Sequence, residues 1–154
     1  MSLRTDKSIL DATKTLVDEL SFEGFKLQDV YTFPDDFKDG DPSLNVPFAT
    51  VGLMEDETRV LNPIVLTALK ANYRVYARFV FADEPADPAS MDLAKIEICT
   101  REVQSVLVEA LFNNTTFKNT VRVAGDVQVN LAYFIVSGRP FTGCQVSFPV
   151  QQEV

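Results

Sequence analysis

Residues 73–84, YRVYARFVFADE, alternate along the chain, and this pattern constrains the fold more than any other stretch. In strand geometry, one row consists of the apolar side chains Tyr73, Val75, Ala77, Phe79 and Phe81. The opposite row holds Arg74, Tyr76 and Arg78, and it ends at Val80. Alternation with period two is typical of a strand whose two faces have different surroundings. The chain therefore requires a sheet, with an apolar layer packed on one side of it.

Two helical patterns supply such a layer. Residues 5–20 carry apolar side chains at steps of three and four, with Thr5 as the predicted N-cap. The second pattern is predicted to begin at Asp87-Pro88 and to run to about residue 112. Its wide apolar stripe suits packing on a sheet, and it consists of Leu93, Ile96, Cys99, Val103, Val106, Leu107, Ala110 and Leu111.

The remaining strands are predicted at 25–33, 48–54, 121–123, 126–136 and 141–150, with short glycine-bearing turns between the last three. Residues 127–135 place Val127, Val129, Leu131, Tyr133 and Ile135 on one face. Pro63 leaves 59–72 open between a short helix and an edge strand. The order of helix, strands, helix and strands predicts a single α+β domain over 1–154, with a mixed or mostly antiparallel β-sheet flanked by two main helices.

Composition narrows the chemistry that the chain can perform. The 154 residues carry a net charge of −8, which argues against broad phosphate binding, and they include no histidine, the commonest general base and metal ligand. No glycine-rich phosphate loop occurs. The loop that begins at Asp35 resembles a calcium loop, but Phe37 and Val46 occupy positions that need oxygen ligands. We therefore expect no catalysis, no metal and no cofactor.

Two further expectations concern the chain's environment. Cys99 and Cys144 lie in apolar surroundings and are predicted to be buried free thiols. No apolar run is long enough to cross a bilayer, and the first residues show no secretory leader. We expect synthesis in the cytoplasm and no contact with a membrane.

The row of Arg74, Tyr76 and Arg78 has three possible explanations. It is the polar outer face of a sheet, a nucleic-acid platform, or a protein interface. A platform needs more basic and aromatic neighbours than the sequence offers. The interface hypothesis pairs this row with acidic side chains of the next copy, and such head-to-tail contacts generate a ring. The candidate acidic partners are Asp35, Asp36, Asp39 and Asp41, or Asp83 and Glu84.

The whole layout resembles a known family. The chain begins with an amphipathic helix, followed by an acidic proline-rich loop at 34–47 and the strand YRVYARFVFAD. A helix that opens at DPASMDLAKIEI comes next, and a meander that ends in SGRPFTGCQVSFPV closes the chain. This order is similar to that of the tail terminator proteins, also called tail completion or neck proteins, of long-tailed bacteriophages.

The resemblance implies a subunit of a hexameric ring that caps the tail tube, stops tube polymerisation and offers a docking surface to the head or neck. Its implied partners are further copies of itself, the tail tube protein and a head–tail connector or neck protein. DNA would pass through the lumen without specific binding, and an acidic wall suits such sliding. The implied location is the virion tail or neck, after assembly in the bacterial cytoplasm. The loop residues Asp35, Asp36, Phe37, Asp39 and Asp41 become candidates for contact with the tube or neck.

Three rival readings stay open. The first is another small phage morphogenesis protein, such as a head-completion or connector component, or the related tube-capping part of a contractile injection machine. The second is a small cytosolic enzyme that uses carboxylates, and the third is a monomeric adaptor that binds a peptide by strand addition. The enzyme reading has only the dispersed candidates Asp29, Glu97 and Arg101.

Overall fold

The fold is α+β, as predicted: within the described residues, two helices pack on a mixed sheet. A computed structural model describes residues 2–38, 40, 44–53, 60–65, 68–83, 91–113, 122–123, 126–136 and 138–153. The helices are α1 (Ser2–Asp18) and α2 (Leu93–Asn113), and a 3-10 turn spans Asp35–Phe37. The strands are β1 (Val30–Thr32), β2 (Phe48–Leu53), β3 (Val60–Val65), β4 (Ala68–Asp83), β5 (Arg122–Val123), β6 (Gln128–Val136) and β7 (Arg139–Glu153).

Two long antiparallel strands, β4 and β7, form the centre of the sheet. β2 and β3 pair one after the other with the free side of β4, and β6 and β5 do the same with β7. β1 lies outside β2 and runs parallel to it, whereas the other pairings are antiparallel. The sheet is therefore mixed but mostly antiparallel, and β1 and β6 lie at its opposite edges.

The main core lies between the helices and one face of the sheet. The predicted apolar row of β4 contributes Val75, Ala77, Phe79 and Phe81, and β7 adds Cys144, Val146, Phe148 and Val150. Most of the predicted stripe of α2 packs on them, with Ile96, Cys99, Val103, Leu107 and Leu111 all buried. Its first member, Leu93, is 65 % exposed, so the prediction is wrong for that residue. Burying each large apolar side chain stabilises the fold by roughly 1.5–3 kcal/mol, so this interface dominates the stability.

A second core covers the opposite face of the sheet. Its buried members are Leu44, Val46, Phe48, Val80, Phe134, Val136 and Phe141, and Tyr31, Phe37 and Ala132 pack against them. Leu44 and Val46 belong to the predicted loop 34–47, so the described parts of this loop cover the sheet. A buried core therefore lies on each face of the central strands, although the second covers only part of its face and the alternation in β4 predicted a core on only one side.

Several element boundaries differ from the prediction. Helix α2 begins at Leu93, and the Asp92 Oδ1 caps it by accepting a hydrogen bond from Lys95 N at 2.8 Å. The predicted cap at Asp87 is therefore wrong, and residues 84–90 lie outside the described part. The strand predicted at 25–33 is confined to Val30–Thr32 because Phe25 turns into the main core and stacks on Phe22.

The ambiguous segment around Pro63 is an edge strand. β3 pairs with the first part of β4, and its register shifts between Asn62 and Val65, on either side of the proline. Proline has no N–H to donate, so it is tolerated at such a bulge on an outer strand. The consequence is that β4 starts at Ala68, earlier than the predicted 73.

Candidate subunit interface

The predicted interface row lies on the face of β4 that points away from the helices. The register sets Arg78 between Thr50 and Gln145, and it sets Tyr76 between Gly52 and Ser147. Two polar side chains of β7 accept hydrogen bonds from the arginines. The Arg78 Nε donates to the Gln145 Oε1 at 2.9 Å, and the Arg74 Nη2 donates to the Ser147 Oγ at 3.3 Å.

Aromatic rings fix the row further. The Arg78 guanidinium carbon lies 4.3 Å from the ring centroid of Tyr76 and 5.3 Å from that of Phe134 in β6. A cation over an aromatic face gains roughly 0.5–1 kcal/mol at exposed sites and more when water is excluded. Tyr76 itself is buried against Gly52, where a side chain would collide with its ring. The row therefore joins β4 to β6 and β7, while Arg74 and Arg78 keep part of their surface in solvent.

One predicted acidic partner has a role within its own chain. Asp83, at the end of β4, is buried and forms an ion pair with the guanidinium of Arg139 at the start of β7. This ion pair links the last residue of β4 to the first residue of β7, at one end of the central β4–β7 ladder. Glu84, the other candidate at this end, lies outside the described residues. The pairing of Asp83 with a neighbouring copy stays a prediction.

The predicted contact loop is partly folded onto the domain. The Asp36 Oδ2 accepts from Thr32 N at 2.7 Å and lies 3.6 Å from the Lys14 Nζ. The Asp35 Oδ1 lies 3.2 Å from the Lys38 Nζ. Both carboxylates remain exposed, so they are accessible to a partner. Asp39 and Asp41 lie outside the described residues.

Phe37 differs from the other members of this loop because it is half-buried. Its ring centroid lies 5.9 Å from that of Tyr31 and 5.7 Å from that of Phe33. Burial, followed by the nearby Asp29, raises the pKa of Tyr31. Phe33, on the outer side of this cluster, is the more exposed aromatic ring and was not singled out from the sequence.

Among the strand side chains whose exposure the structure describes, the most exposed apolar ones lie on β6, and reasoning from the sequence missed them. The row predicted on one face divides: Val127 and Val129 pack against the main core, whereas Leu131, Tyr133 and Ile135 are 47 %, 72 % and 76 % exposed. These three residues are called the β6 strip below. β6 pairs with β7 along one side and has no partner strand on the other side within the described chain. The missed signal is that Gln128–Val136 contains no charged residue and no proline, the usual protection of an edge strand.

The residues of the enzyme reading lie in two parts of the fold, one before β1 and two on α2. Asp29 precedes β1, and its carboxylate accepts a 3.4 Å hydrogen bond from the Tyr31 hydroxyl. Glu97 and Arg101 lie one turn apart on the exposed side of α2. Among the residues that the structure describes, no three acidic or cysteine side chains are grouped so that they could hold a metal ion.

The two cysteines are buried and free, as predicted. Burial raises the pKa of Cys144 to about 12 and also raises the pKa of Cys99. A thiol needs a lowered pKa to act as a nucleophile at neutral pH, so both cysteines serve as core side chains.

Neither helix is both long enough and apolar enough to cross a bilayer, within the part of the chain that the structure describes. Comparison of the chain with protein-family models gives no match, and comparison with curated proteins gives none either. Function is therefore inferred from the residues and their arrangement.

Proposed function

We propose that this chain is a structural subunit of a bacteriophage tail. Copies of it form a ring, hexameric in the assembled particle, on the last ring of the tail tube. The ring stops tube polymerisation and presents a docking surface to the head–tail connector or neck protein. The chain performs no bond chemistry and holds no cofactor, and DNA passes through the lumen without specific binding.

The observation that carries this proposal is the edge of β6 that no strand of the described chain covers. A strand of nine residues without charge or proline, with three exposed apolar side chains in one row, is suited to pairing with another chain. An edge of this kind is an aggregation hazard unless an assembly covers it. In a ring, each copy presents this edge to a different surface of its neighbour, and the contact is satisfied when the ring closes.

Charge supports the same arrangement. Arg74 and Arg78 remain partly exposed on one face, while Asp35 and Asp36 remain exposed at the other edge, next to β1. A head-to-tail contact that sets the β1 edge of one copy against this face of β4 in the next brings acidic side chains near basic ones. The net charge of −8 suits a channel wall that repels DNA phosphates.

The β6 strip provides the test. We expect Tyr133→Glu with Ile135→Glu to leave the fold intact, because both side chains are mostly exposed in the monomer. The same variant should abolish ring formation and the capping of purified tail tubes, as seen by negative-stain electron microscopy. Leu93→Glu with Gln28→Glu is the matched control, because it adds the same two negative charges at exposed positions outside every contact surface proposed for this chain. Rings that form equally well with the β6 double variant would contradict the proposal.

The free β6 edge also favours a second candidate, a monomeric adaptor that binds an extended peptide by strand addition. The two candidates differ in what happens without a peptide. An adaptor stays monomeric at high concentration and leaves tail tubes uncapped, whereas a terminator caps them. A head–tail connector component would instead assemble with the portal protein or with the phage adaptor protein bound to it. Repeating the experiment with those two partners therefore distinguishes a connector from a terminator.

A further inference from the structure

The outer side of α2 carries a stripe of its own, opposite the buried stripe. It consists of Ala94, Ile98, Arg101, Ser105, Val108 and Phe112, and we call it the outer stripe. All six are exposed, Phe112 most of all at 80 %. Their spacing alternates between four and three residues, which is the spacing that keeps a row on one side of a helix packed against another helix. The row is about 27 Å long at the helical rise of 1.5 Å per residue.

The sizes along the outer stripe are complementary about its own midpoint at Val103. When two copies of the stripe run antiparallel about that midpoint, the small Ala94 faces the large Phe112, and Ile98 faces Val108. The long Arg101 faces the small Ser105. A two-fold contact requires a self-complementary surface of this kind, because each pairing of two residues occurs twice, once in each direction between the copies. In a parallel arrangement, Phe112 would face Phe112 and Arg101 would face Arg101.

The charges beside the outer stripe follow the same symmetry. Lys95 and Glu109 are exposed and lie on one flank of the stripe. In the antiparallel arrangement, Lys95 of each copy comes close to Glu109 of the other, which makes two opposite-charge contacts. Glu102 lies on the same flank, but its carboxylate accepts from the backbone amides of Glu23 and Gly24, the latter at 2.9 Å. It is thereby held within its own chain.

We infer that the outer stripe of α2 docks, antiparallel, on the outer stripe of a second copy of this chain. The contact has a two-fold axis, so it closes after two copies and cannot itself extend into a ring. It uses a surface other than the β6 strip. The inference therefore goes beyond the proposed function, and either one can fail while the other holds.

Charge reversal tests the contact. Lys95→Glu or Glu109→Lys alone replaces two attractive contacts with two repulsive ones, and we expect each to weaken dimerisation about tenfold. The double variant Lys95→Glu with Glu109→Lys restores both attractive contacts and should return the dissociation constant to within about threefold of the original. Lys26→Glu, an equal charge change at an exposed site outside α2, is the control. Sedimentation velocity over a concentration series measures the association.

Cysteine cross-linking tests the register. An equimolar mixture of Ile98→Cys and Val108→Cys proteins should form disulfide dimers under mild oxidation, whereas neither protein alone should. The native cysteines are buried and do not compete. Cross-linking of either variant with itself, failure of the charge-swapped variant to recover, or a monomer at every concentration would each overturn the inference. Tyr133→Glu with Ile135→Glu should still dimerise through α2, which keeps this result separate from ring formation.

Discussion

Gly143 lies where the backbone of β4 leaves no room for a side chain on β7, and replacing it with alanine tests the packing of the sheet. β7 places Gly143 opposite Val80 of β4, next to the register shift between Val80 and Ala82. A Cβ at this position would lie 2.9 Å from the carbonyl carbon of Phe79, 3.0 Å from the Val80 Cα, and closer still to the Phe79 oxygen. All three are backbone atoms, so no side-chain rotation relieves the collision.

The expected cost of Gly143→Ala follows from that geometry. Ordinary contact begins near 3.4 Å, so the strands must separate by about 0.5 Å at the carbonyl carbon and by more at its oxygen. Overpacking of a dense core costs about 1–3 kcal/mol. Separation also weakens one or two ladder hydrogen bonds, each with a net contribution of about 1 kcal/mol. We therefore expect a loss of about 3 kcal/mol in the free energy of unfolding.

Urea unfolding followed by far-UV circular dichroism measures this loss. Gly52→Ala is the matched control, because its Cβ would meet the Tyr76 ring, with the Tyr76 Cζ at 2.6 Å, and a side chain can shift. We expect the control to lose clearly less stability than Gly143→Ala. If Gly143→Ala stays within about 1 kcal/mol of the parent protein, or costs less than Gly52→Ala, the close approach of β4 and β7 is wrong.

Three further predictions concern single groups. Because burial raises the pKa of Cys144 from 9.0 to about 12, its proton is retained in the folded state and lost from the unfolded chain above pH 9. The contribution of Cys144 to the free energy of unfolding should be constant below pH 9 and fall above it by up to about 1.4 kcal/mol per pH unit. Urea unfolding at about pH 8 and about pH 10 measures the difference. Arg78→Met removes the guanidinium from between two rings and should cost about 1–2 kcal/mol in a thermal or urea melt, whereas no loss would show that the stacking is unimportant. Arg139→Ala removes the guanidinium from the buried carboxylate of Asp83 and should cost about 1–3 kcal/mol, a loss that Arg139→Lys should partly recover.

The sequence sufficed to predict the elements whose periodicity reflects one dominant interface. The apolar row from Val75 to Phe81 and the stripe from Ile96 to Leu111 were both placed on the core side, because burial on one side imposes period two on a strand and about 3.6 on a helix. These two patterns were enough for the fold class. The beginning of α2 was misplaced because Asp87-Pro88 and Asp92 both carry N-cap chemistry, and tertiary packing chooses between them.

The second core and the β6 strip escaped prediction for a common physical reason. Leu44 and Val46 lie among aspartates and prolines, so local composition indicates only a loop, and their burial depends on a distant sheet face. Leu131 and Ile135 alternate like core residues, but the helices do not cover the part of β6 where they lie. The local sequence pattern contains no information about that missing cover. Contacts between residues distant in sequence decide both cases.

The structure changes how the arginine row would act in a ring. Arg78 lies between Tyr76 of β4 and Phe134 of β6, and Phe134 points to the side of β6 opposite the β6 strip. Loss of Arg78 would therefore disturb the edge strand that is proposed to meet the next copy, even if no charge pair crosses the interface. Direct charge pairing is screened by salt, whereas a packing effect is not. Arg74→Glu with Arg78→Glu should impair ring assembly whether the arginines pair with charges of the next copy or position β6. The two explanations differ for the parent protein: its ring assembly should weaken steeply from low to high salt only if charge pairing holds the ring. Rings of the parent protein that persist at high salt would assign the row to positioning β6.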